Sequence, residues 1–125
     1  MNLKLFQIGF LVFLLSNTVQ SETLKKSFYD HFLMGTIWHG NKLGSNKNNT
    51  FLKQEKRIIS SEFNAITAEN AMKPKQIQPR EGVFTFKESD EMVAFAEAHN
   101  LTIIGHTLVW KNSAPDWFFV DKQGG

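Results

Sequence analysis

The feature that most constrains this 125-residue chain is a repeated order of apolar runs and segments with helical spacing. The apolar runs cover residues 33–38, 65–68 and 101–109, and the helical segments begin near Asn49 and Ser89. Strands that alternate with helices and are apolar along their length are typical of a parallel sheet with both faces covered. The order therefore predicts an α/β fold.

The two helical segments differ in the signals that define them. In the second, Ser89 is the predicted N-cap, and Asp90 and Glu91 stand in the first turn, where negative charge suits the helix dipole. This helix is predicted to end near Asn100. In the first, apolar residues recur at helical spacing: Phe51, Leu52, Ile58, Ile59 and Phe63.

Chain length limits how much of an α/β fold these elements can form. A doubly wound sheet and a barrel are the two closed arrangements, and an eight-unit barrel takes about 250 residues. Three strands and two helices make a thin core for a complete flavodoxin-like domain, which is the alternative. We therefore expect residues 22–125 to be the N-terminal part of a larger α/β domain. If that domain is a barrel, which the family resemblance described below implies, these residues are the first three βα units of an incomplete (β/α)8 TIM barrel.

The first 21 residues are interpreted as a signal peptide. Lys4 precedes an apolar run over residues 5–15, which is shorter than the roughly 20 residues a membrane-spanning helix needs. We predict cleavage after Ser21, a secreted or periplasmic location, and no membrane attachment after cleavage. The chain has no cysteine, so no disulfide stabilises it.

Charge and residue inventory argue against several classes of site. The net charge of +2 becomes +1 when Lys4 is removed, so no basic stripe for nucleic acid is expected. No glycine-rich loop for phosphate lies between a strand and a helix, and no cofactor is predicted. The histidines, at 31, 39, 99 and 106, lack metal-ligand spacing, so no metal site is predicted.

Polar and aromatic residues follow each predicted strand. Functional groups in parallel α/β folds gather at the carboxyl ends of the strands. These positions therefore supply the candidate site residues. They are Trp38 with His39, Glu69 with Asn70, and His106 with Trp110.

Glu69 is the strongest of these candidates, because a carboxylate directly after a buried strand costs several kcal/mol unless it is paired or faces a wet cleft. A structural ion pair with Lys73 is the alternative. For His106, a role in the site and a place in the core are both open.

Three ordered motifs give the chain a resemblance to a known family. Residues 63–73 (FNAITAENAMK) resemble the second-strand signature of glycoside hydrolase family ten, the endo-1,4-β-xylanases. Residues 82–90, which begin GVFTF and end in Asp90, resemble the next block. Residues 105–117, which begin GHTLVW and contain Pro115 and Trp117, are similar to the third-strand block.

The resemblance implies a (β/α)8 barrel that cleaves xylan with retention of configuration. It assigns Glu69, Asn70 and Lys73 to sugar binding on the glycone side of the cleft. His106 and Trp110 match positions that contact or stack on the sugar at which cleavage occurs. Xylan or a xylo-oligosaccharide is then the partner, and the full-length protein is expected to be a monomer.

The resemblance also implies where the catalytic residues lie. Retaining hydrolysis requires two carboxyl groups about 5–5.5 Å apart, and the family takes both catalytic glutamates from later strands, beyond Gly125. We therefore expect this chain alone to be an inactive fragment of a glycosidase catalytic domain. A non-catalytic carbohydrate-binding remnant is the alternative.

Some positions depart from the family pattern. Lys111, Asn112 and Ser113 stand where members commonly have His-Ser-Gln or His-Asn-Gln, and Pro74 stands where many have Trp. These differences are expected to alter substrate contacts near the cleavage point.

Overall fold

The computed structural model describes residues 21–40 and 49–121, so the predicted signal peptide lies outside the described residues except for Ser21. None of the helices in these ranges is long and apolar enough to span a bilayer. The elements are the helices α1 (Leu24–Ser27), α2 (Asn49–Glu62), α3 (Pro74–Ile77) and α4 (Lys87–Ala98), the strands β1 (Gly35–Trp38), β2 (Ala65–Ala68) and β3 (Thr102–Ile104), and a 3-10 helix (Asp116–Phe119).

The three strands form one parallel sheet in the order β1-β2-β3. Ala65 of β2 pairs with Gly35 on one side and with Thr102 on the other. A barrel adds each strand beside the preceding one, whereas a flavodoxin-like sheet has the order 2-1-3. The parallel α/β prediction is confirmed, and the strand order is consistent with part of a TIM barrel rather than with a small flavodoxin-like domain.

The helices α2 and α4 pack on the same face of the sheet. Ile59 of α2 and Met92 of α4 belong to one buried cluster with Trp38 and Ile66 from the strands. Successive right-handed crossovers that advance in one direction place their helices on one side, as in the outer ring of a barrel.

The opposite face of the sheet has no helix in the described ranges. Ile37 is 49% exposed and Ile104 is 47% exposed on this face. Of the two faces expected to be covered, the described residues therefore cover only one. In a barrel this face points inward and is covered by the other strands.

Strand β3 is shorter than the predicted run of 101–109, and β1 begins two residues after the predicted start. The last residue pair in the ladder is Thr67 with Ile104, and β2 is the only strand beside β3 in the described part of the chain. Without further ladder partners the backbone leaves the sheet at Gly105. His106 and Trp110 therefore do not alternate along a strand.

The start of α4 differs from the prediction. The helix begins at Lys87, and the hydroxyl of Ser89 donates to the backbone oxygen of Phe86 at 2.7 Å. Ser89 is thus inside the first turn and buried, and its prediction as the N-cap is wrong. Phe86 precedes the helix with near-helical backbone angles, and its carbonyl accepts the amide of Asp90 at 2.8 Å.

The end of α4 agrees with the prediction to within two residues. Asn100 has a φ of 53°, and the amide of Leu101 donates to the carbonyl of Ala96 at 2.9 Å. The amide of Asn100 donates to the carbonyl of Glu97 at 3.4 Å. These bonds form a Schellman motif, which satisfies the last carbonyls of the helix and turns the chain into β3.

Candidate functional site

Glu69 lies where β2 leaves the sheet. Its backbone amide donates to the carbonyl of Trp38 at 3.0 Å, so the ladder extends one residue past β2. Alternation along a strand places Thr67 and Glu69 on the uncovered face. The Glu69 carboxylate is exposed and makes no ion pair within residues 21–40 and 49–121. The alternative of a structural ion pair with Lys73 is therefore not observed.

Lys73 connects the residues that follow β2 with those that follow β3. Its Nζ donates to Oδ1 of Asn70 at 2.8 Å and lies 4.8 Å from the ring centroid of Trp110. This second distance is within the range of a cation–π contact. Lys73 is only 9% exposed. The structure thus brings together three of the five predicted site residues.

The local backbone explains how Lys73 reaches this position. The amide of Lys73 donates to the carbonyl of Asn70 at 3.0 Å, which closes a turn directly after β2. Pro74 then occupies the first turn of α3, where its missing amide hydrogen costs nothing. The Lys73 carbonyl accepts the amides of Gln76 at 2.8 Å and Ile77 at 3.0 Å. Pro74, one of the departures from the family pattern, therefore starts α3.

The segment after β3 is held against α3 by backbone contacts. The amide of Lys75 donates to the carbonyl of Ser113 at 2.9 Å, and the amide of Ser113 donates to the carbonyl of Trp110 at 2.9 Å. Farther along, Nε1 of Trp117 donates to the carbonyl of Gln78 at 3.0 Å. These bonds fix the turn that carries Trp110 beside Lys73, and Ser113 contributes to them through its backbone.

His106 and Trp110 are both accessible. Trp110 is 42% exposed, and the His106 ring is exposed and makes no hydrogen bond or ion pair with the described residues. The alternative of a satisfied core histidine is therefore wrong. In the described chain, His106 makes no hydrogen bond, ion pair or ring contact with Asn70, Lys73 or Trp110.

The end of β1 differs from the other two strand ends. Trp38 is only 3% exposed and packs on Phe95 of α4 with ring centroids 4.8 Å apart, so it belongs to the core. His39 instead pairs with Glu55 of α2, with Nδ1 and Oε1 3.1 Å apart. The sequence does not predict this pair, because 16 residues separate its members and no local motif joins them.

The His39–Glu55 pair lies beside a cleft of about 290 Å³ that Ile58 and Phe63 also line. The pair is partly exposed, and ion pairs of this kind contribute about 0–1 kcal/mol to stability. In the described part of the chain, no three His, Cys, Asp or Glu side chains cluster as metal ligands.

The residues after β2 and β3 offer complementary binding groups. Glu69 supplies a carboxylate that accepts hydrogen bonds, and Asn70 and Lys73 supply N–H donors. The indole of Trp110 supplies a flat apolar face. A ring-shaped ligand with several hydroxyl groups would match this combination of donors, acceptors and apolar surface.

Comparison with known proteins identifies a family. The sequence profile of glycosyl hydrolase family 10 matches residues 23–124. Endo-1,4-beta-xylanase A of Thermoanaerobacterium saccharolyticum is 40% identical over 108 residues, which cover 85% of this chain and 9% of that protein. Endo-1,4-beta-xylanase A of Xylanibacter ruminicola is 32% identical over 120 residues, 95% of this chain and 31% of that protein.

Solved structures give the same result. The intracellular xylanase TsXylA from Thermoanaerobacterium saccharolyticum superposes with a TM-score of 0.72 at 38% identity, covering 85% of this chain and 31% of that one. Xylanase XynB from Paenibacillus barcinonensis, complexed with a conduramine derivative, gives a TM-score of 0.71 at 36% identity, with coverages of 86% and 30%. The chain therefore spans less than a third of the length of these relatives.

Proposed function

Because the chain belongs to glycosyl hydrolase family 10, we propose that it forms the first three βα units of an endo-1,4-β-xylanase barrel. In this proposal, Glu69, Asn70, Lys73, His106 and Trp110 bind xylan or a xylo-oligosaccharide on the glycone side of the cleft. The full-length protein would cleave xylan with retention of configuration.

The observation that carries the proposal is the contact of Lys73 with both Asn70 and Trp110. The ammonium lies 2.8 Å from the Asn70 amide oxygen and 4.8 Å from the Trp110 ring centroid, although these residues follow different strands. A pyranose has one apolar face and a rim of hydroxyl groups. The indole can cover the apolar face while Asn70 and Lys73 bind the rim, and the Glu69 carboxylate accepts a further hydroxyl.

The carboxyl pair that performs hydrolysis is proposed to lie outside this sequence. All 12 acidic residues of the chain fall within the described ranges, and Glu69 alone directly follows a strand. Asp116 starts the 3-10 helix after β3. The chain by itself should therefore release no reducing sugar from xylan, and release that survives purification to homogeneity would contradict this part of the proposal.

Export is a separate proposal. Residues 1–21 are proposed to act as a signal peptide, which gives a secreted or periplasmic protein with no membrane attachment after cleavage. The family match begins at residue 23, close to the proposed cleavage point. N-terminal sequencing of the exported protein should start at Glu22, and an intact Met1 on the exported protein would contradict the proposal.

Sugar binding can be tested with the chain itself by saturation-transfer difference NMR, which detects weak complexes. Xylotriose should give transfer signals in the presence of the chain, and maltotriose, whose glucose units have α-linkages, is the control. Transfer to neither sugar, or equal transfer to both, would contradict the proposed function.

A further inference from the structure

A cleft at the amino ends of the strands is separate from the proposed sugar-binding wall. That wall consists of Glu69, Asn70, Lys73, His106 and Trp110. In the amino-end cleft, Asn64 directly precedes β2 and Asn100 lies two residues before β3. Because the strands are parallel, residues before them and residues after them lie at opposite ends of the sheet. The cleft is therefore at the end of the sheet away from the wall.

The amino-end cleft has the size and the lining of a ligand pocket. Its volume is about 430 Å³, within the range of roughly 300–1,000 Å³ that is typical of such pockets. Ammonium, phenol, amide and imidazole groups line it, from Lys25, Lys26, Tyr29, Asn64, His99 and Asn100. The amide of Leu24 donates to Oε2 of Glu62 at 2.9 Å, and Nζ of Lys25 donates to the carbonyl of Ser60. These bonds hold α1 against the end of α2, so the cleft is preformed.

Asn64 supplies the cleft with an unsatisfied acceptor. Its backbone amide donates to the carbonyl of Met34 at 3.0 Å, and its carbonyl accepts the amide of Thr102 at 2.8 Å, so its position is fixed between neighbouring strands. The side-chain oxygen is buried and has no hydrogen-bond partner among the described residues. Buried polar atoms in proteins are nearly always hydrogen-bonded. This oxygen therefore requires a donor, which a hydroxyl group of a ligand in the cleft can supply.

The cleft also carries positive charge. Lys25 and Lys26 line it, whereas no Asp or Glu of residues 21–40 and 49–121 does so. Lys26 pairs with Glu22 at 3.1 Å, but the two side chains are 73% and 52% exposed, and ion pairs in such positions are weak. A ligand carboxylate can therefore replace Glu22 and form a charge-assisted hydrogen bond with Lys26.

Aromatic surface and further hydrogen-bonding groups stand at the edge of the cleft. The Tyr29 side chain is 76% exposed, and its ring offers a flat face of the kind that packs on a sugar ring. The His99 ring is held by Phe95, with ring centroids 4.5 Å apart. His99 and Asn100 are both exposed and can donate hydrogen bonds. The cleft thus combines a cation, a ring face and a buried acceptor.

We propose that the amino-end cleft binds a uronic acid, a sugar ring that carries a carboxylate. The carboxylate pairs with Lys26, the ring packs on Tyr29, and a ring hydroxyl donates to the side-chain oxygen of Asn64. This site goes beyond the proposed function, because it shares no residue with the wall and takes an anionic sugar. Its outcome is therefore independent of whether the wall binds xylan.

Three small ligands separate the contributions of charge and ring. D-Glucuronate and D-glucose differ only at C6, where a carboxylate replaces a hydroxymethyl group, and acetate has the carboxylate without the ring. In ¹⁵N–¹H NMR titrations of the full chain, glucuronate should shift the signals of Tyr29, Asn64 and Asn100. Glucose and acetate should bind there at least tenfold more weakly. Equal affinity for glucose or for acetate, or glucuronate shifts that occur only at the wall, would overturn the proposal.

The variant Lys26→Gln tests the charge contact. Lys26 is exposed, so its replacement should leave the fold intact while the affinity for glucuronate falls at least fivefold. Lys53→Gln is the matched control, because Lys53 is an exposed lysine of α2 that does not line the cleft. It should leave the affinity within twofold of the original value. Equal losses in the two variants would mean that only the net charge of the chain attracts glucuronate, and the assigned site would be wrong.

The variants Tyr29→Ala and Tyr29→Phe test the ring contact. Alanine removes the ring and should lower the affinity for glucuronate at least fivefold, whereas phenylalanine keeps the ring and should stay within twofold of the original affinity. An alanine variant that binds glucuronate as tightly as the unmodified chain would contradict the assigned site. So would a phenylalanine variant that loses as much affinity as the alanine variant.

Discussion

Trp110 has the largest apolar face among the proposed binding residues. Its ring is 42% exposed and is held by Lys73 on one side. Trp110→Ala should lower the affinity for xylotriose about tenfold or more, a change of at least ~1.4 kcal/mol in binding free energy, because the stacking surface is lost. NMR titration measures the effect.

Phe119→Ala is the control for Trp110→Ala. Phe119 is an exposed aromatic residue of the 3-10 helix and has no part in the proposed wall. Its replacement should leave the affinity unchanged. Equal losses in the two variants would show that the Trp110 effect is a general consequence of removing surface aromatic residues.

The sequence predicted which residue types would lie at the site but not how they contact each other. Glu69 and Asn70 could be identified because a polar group directly after a buried strand is costly unless it is paired or reaches water. The contact between Lys73 and Trp110 could not be predicted, because it depends on the path of the chain after Ile104. That path is set by the backbone bond between Lys75 and Ser113, which no residue pattern encodes.

The end of helix α4 gives a test at the level of the secondary-structure element. Asn100 adopts a left-handed conformation with a φ of 53°, which β-branched residues adopt only at a cost of roughly 1–2 kcal/mol. Asn100→Val should therefore lower the free energy of unfolding by about that amount in urea denaturation. Asn100→Gly should change it by no more than about 0.5 kcal/mol, because glycine accepts this conformation. If valine and glycine have the same effect, the left-handed turn is not what ends the helix.

The sequence predicts an element more accurately when a local apolar pattern marks it than when its limits depend on a neighbouring element. Helix α2 starts at Asn49 and β2 covers Ala65–Ala68, both as expected, because helical spacing and a continuous buried run are local signals. Strand β3 was predicted too long, since its length depends on how far β2 remains beside it. The sequence predicts Ser89 as an N-cap because a serine followed by acidic residues is typical of a helix start. A serine inside the first turn can be followed by acidic residues in the same way, and Ser89 lies there.

The uncovered face of the sheet is expected to make the isolated chain self-associate. Ile37 and Ile104 are about half exposed there, and the sheet has open edges at β1 and β3 in the described chain. Exposed apolar patches and open strand edges favour association. The isolated chain should therefore associate in a concentration-dependent manner in sedimentation experiments, and a chain that stays monomeric at every concentration would contradict this expectation.

Two matched substitutions distinguish the faces of the sheet. Ile37→Thr keeps a β-branched residue on the uncovered face and should reduce association with little effect on the free energy of unfolding. Ile66→Thr makes the same chemical change on the face packed against α2 and α4, where Ile66 is fully buried. It should destabilise the fold by about 1–3 kcal/mol, because a hydroxyl replaces buried apolar surface. If the two variants change the free energy of unfolding by similar amounts, the two faces of the sheet do not differ in burial.

Mapping of the xylotriose site by ¹⁵N–¹H NMR would show whether the residues after β2 and β3 form one sugar-binding wall. The largest chemical-shift changes should be at the five proposed binding residues, Glu69, Asn70, Lys73, His106 and Trp110. Changes that centre instead on the cleft beside His39 and Glu55, or no changes at saturating sugar, would contradict it.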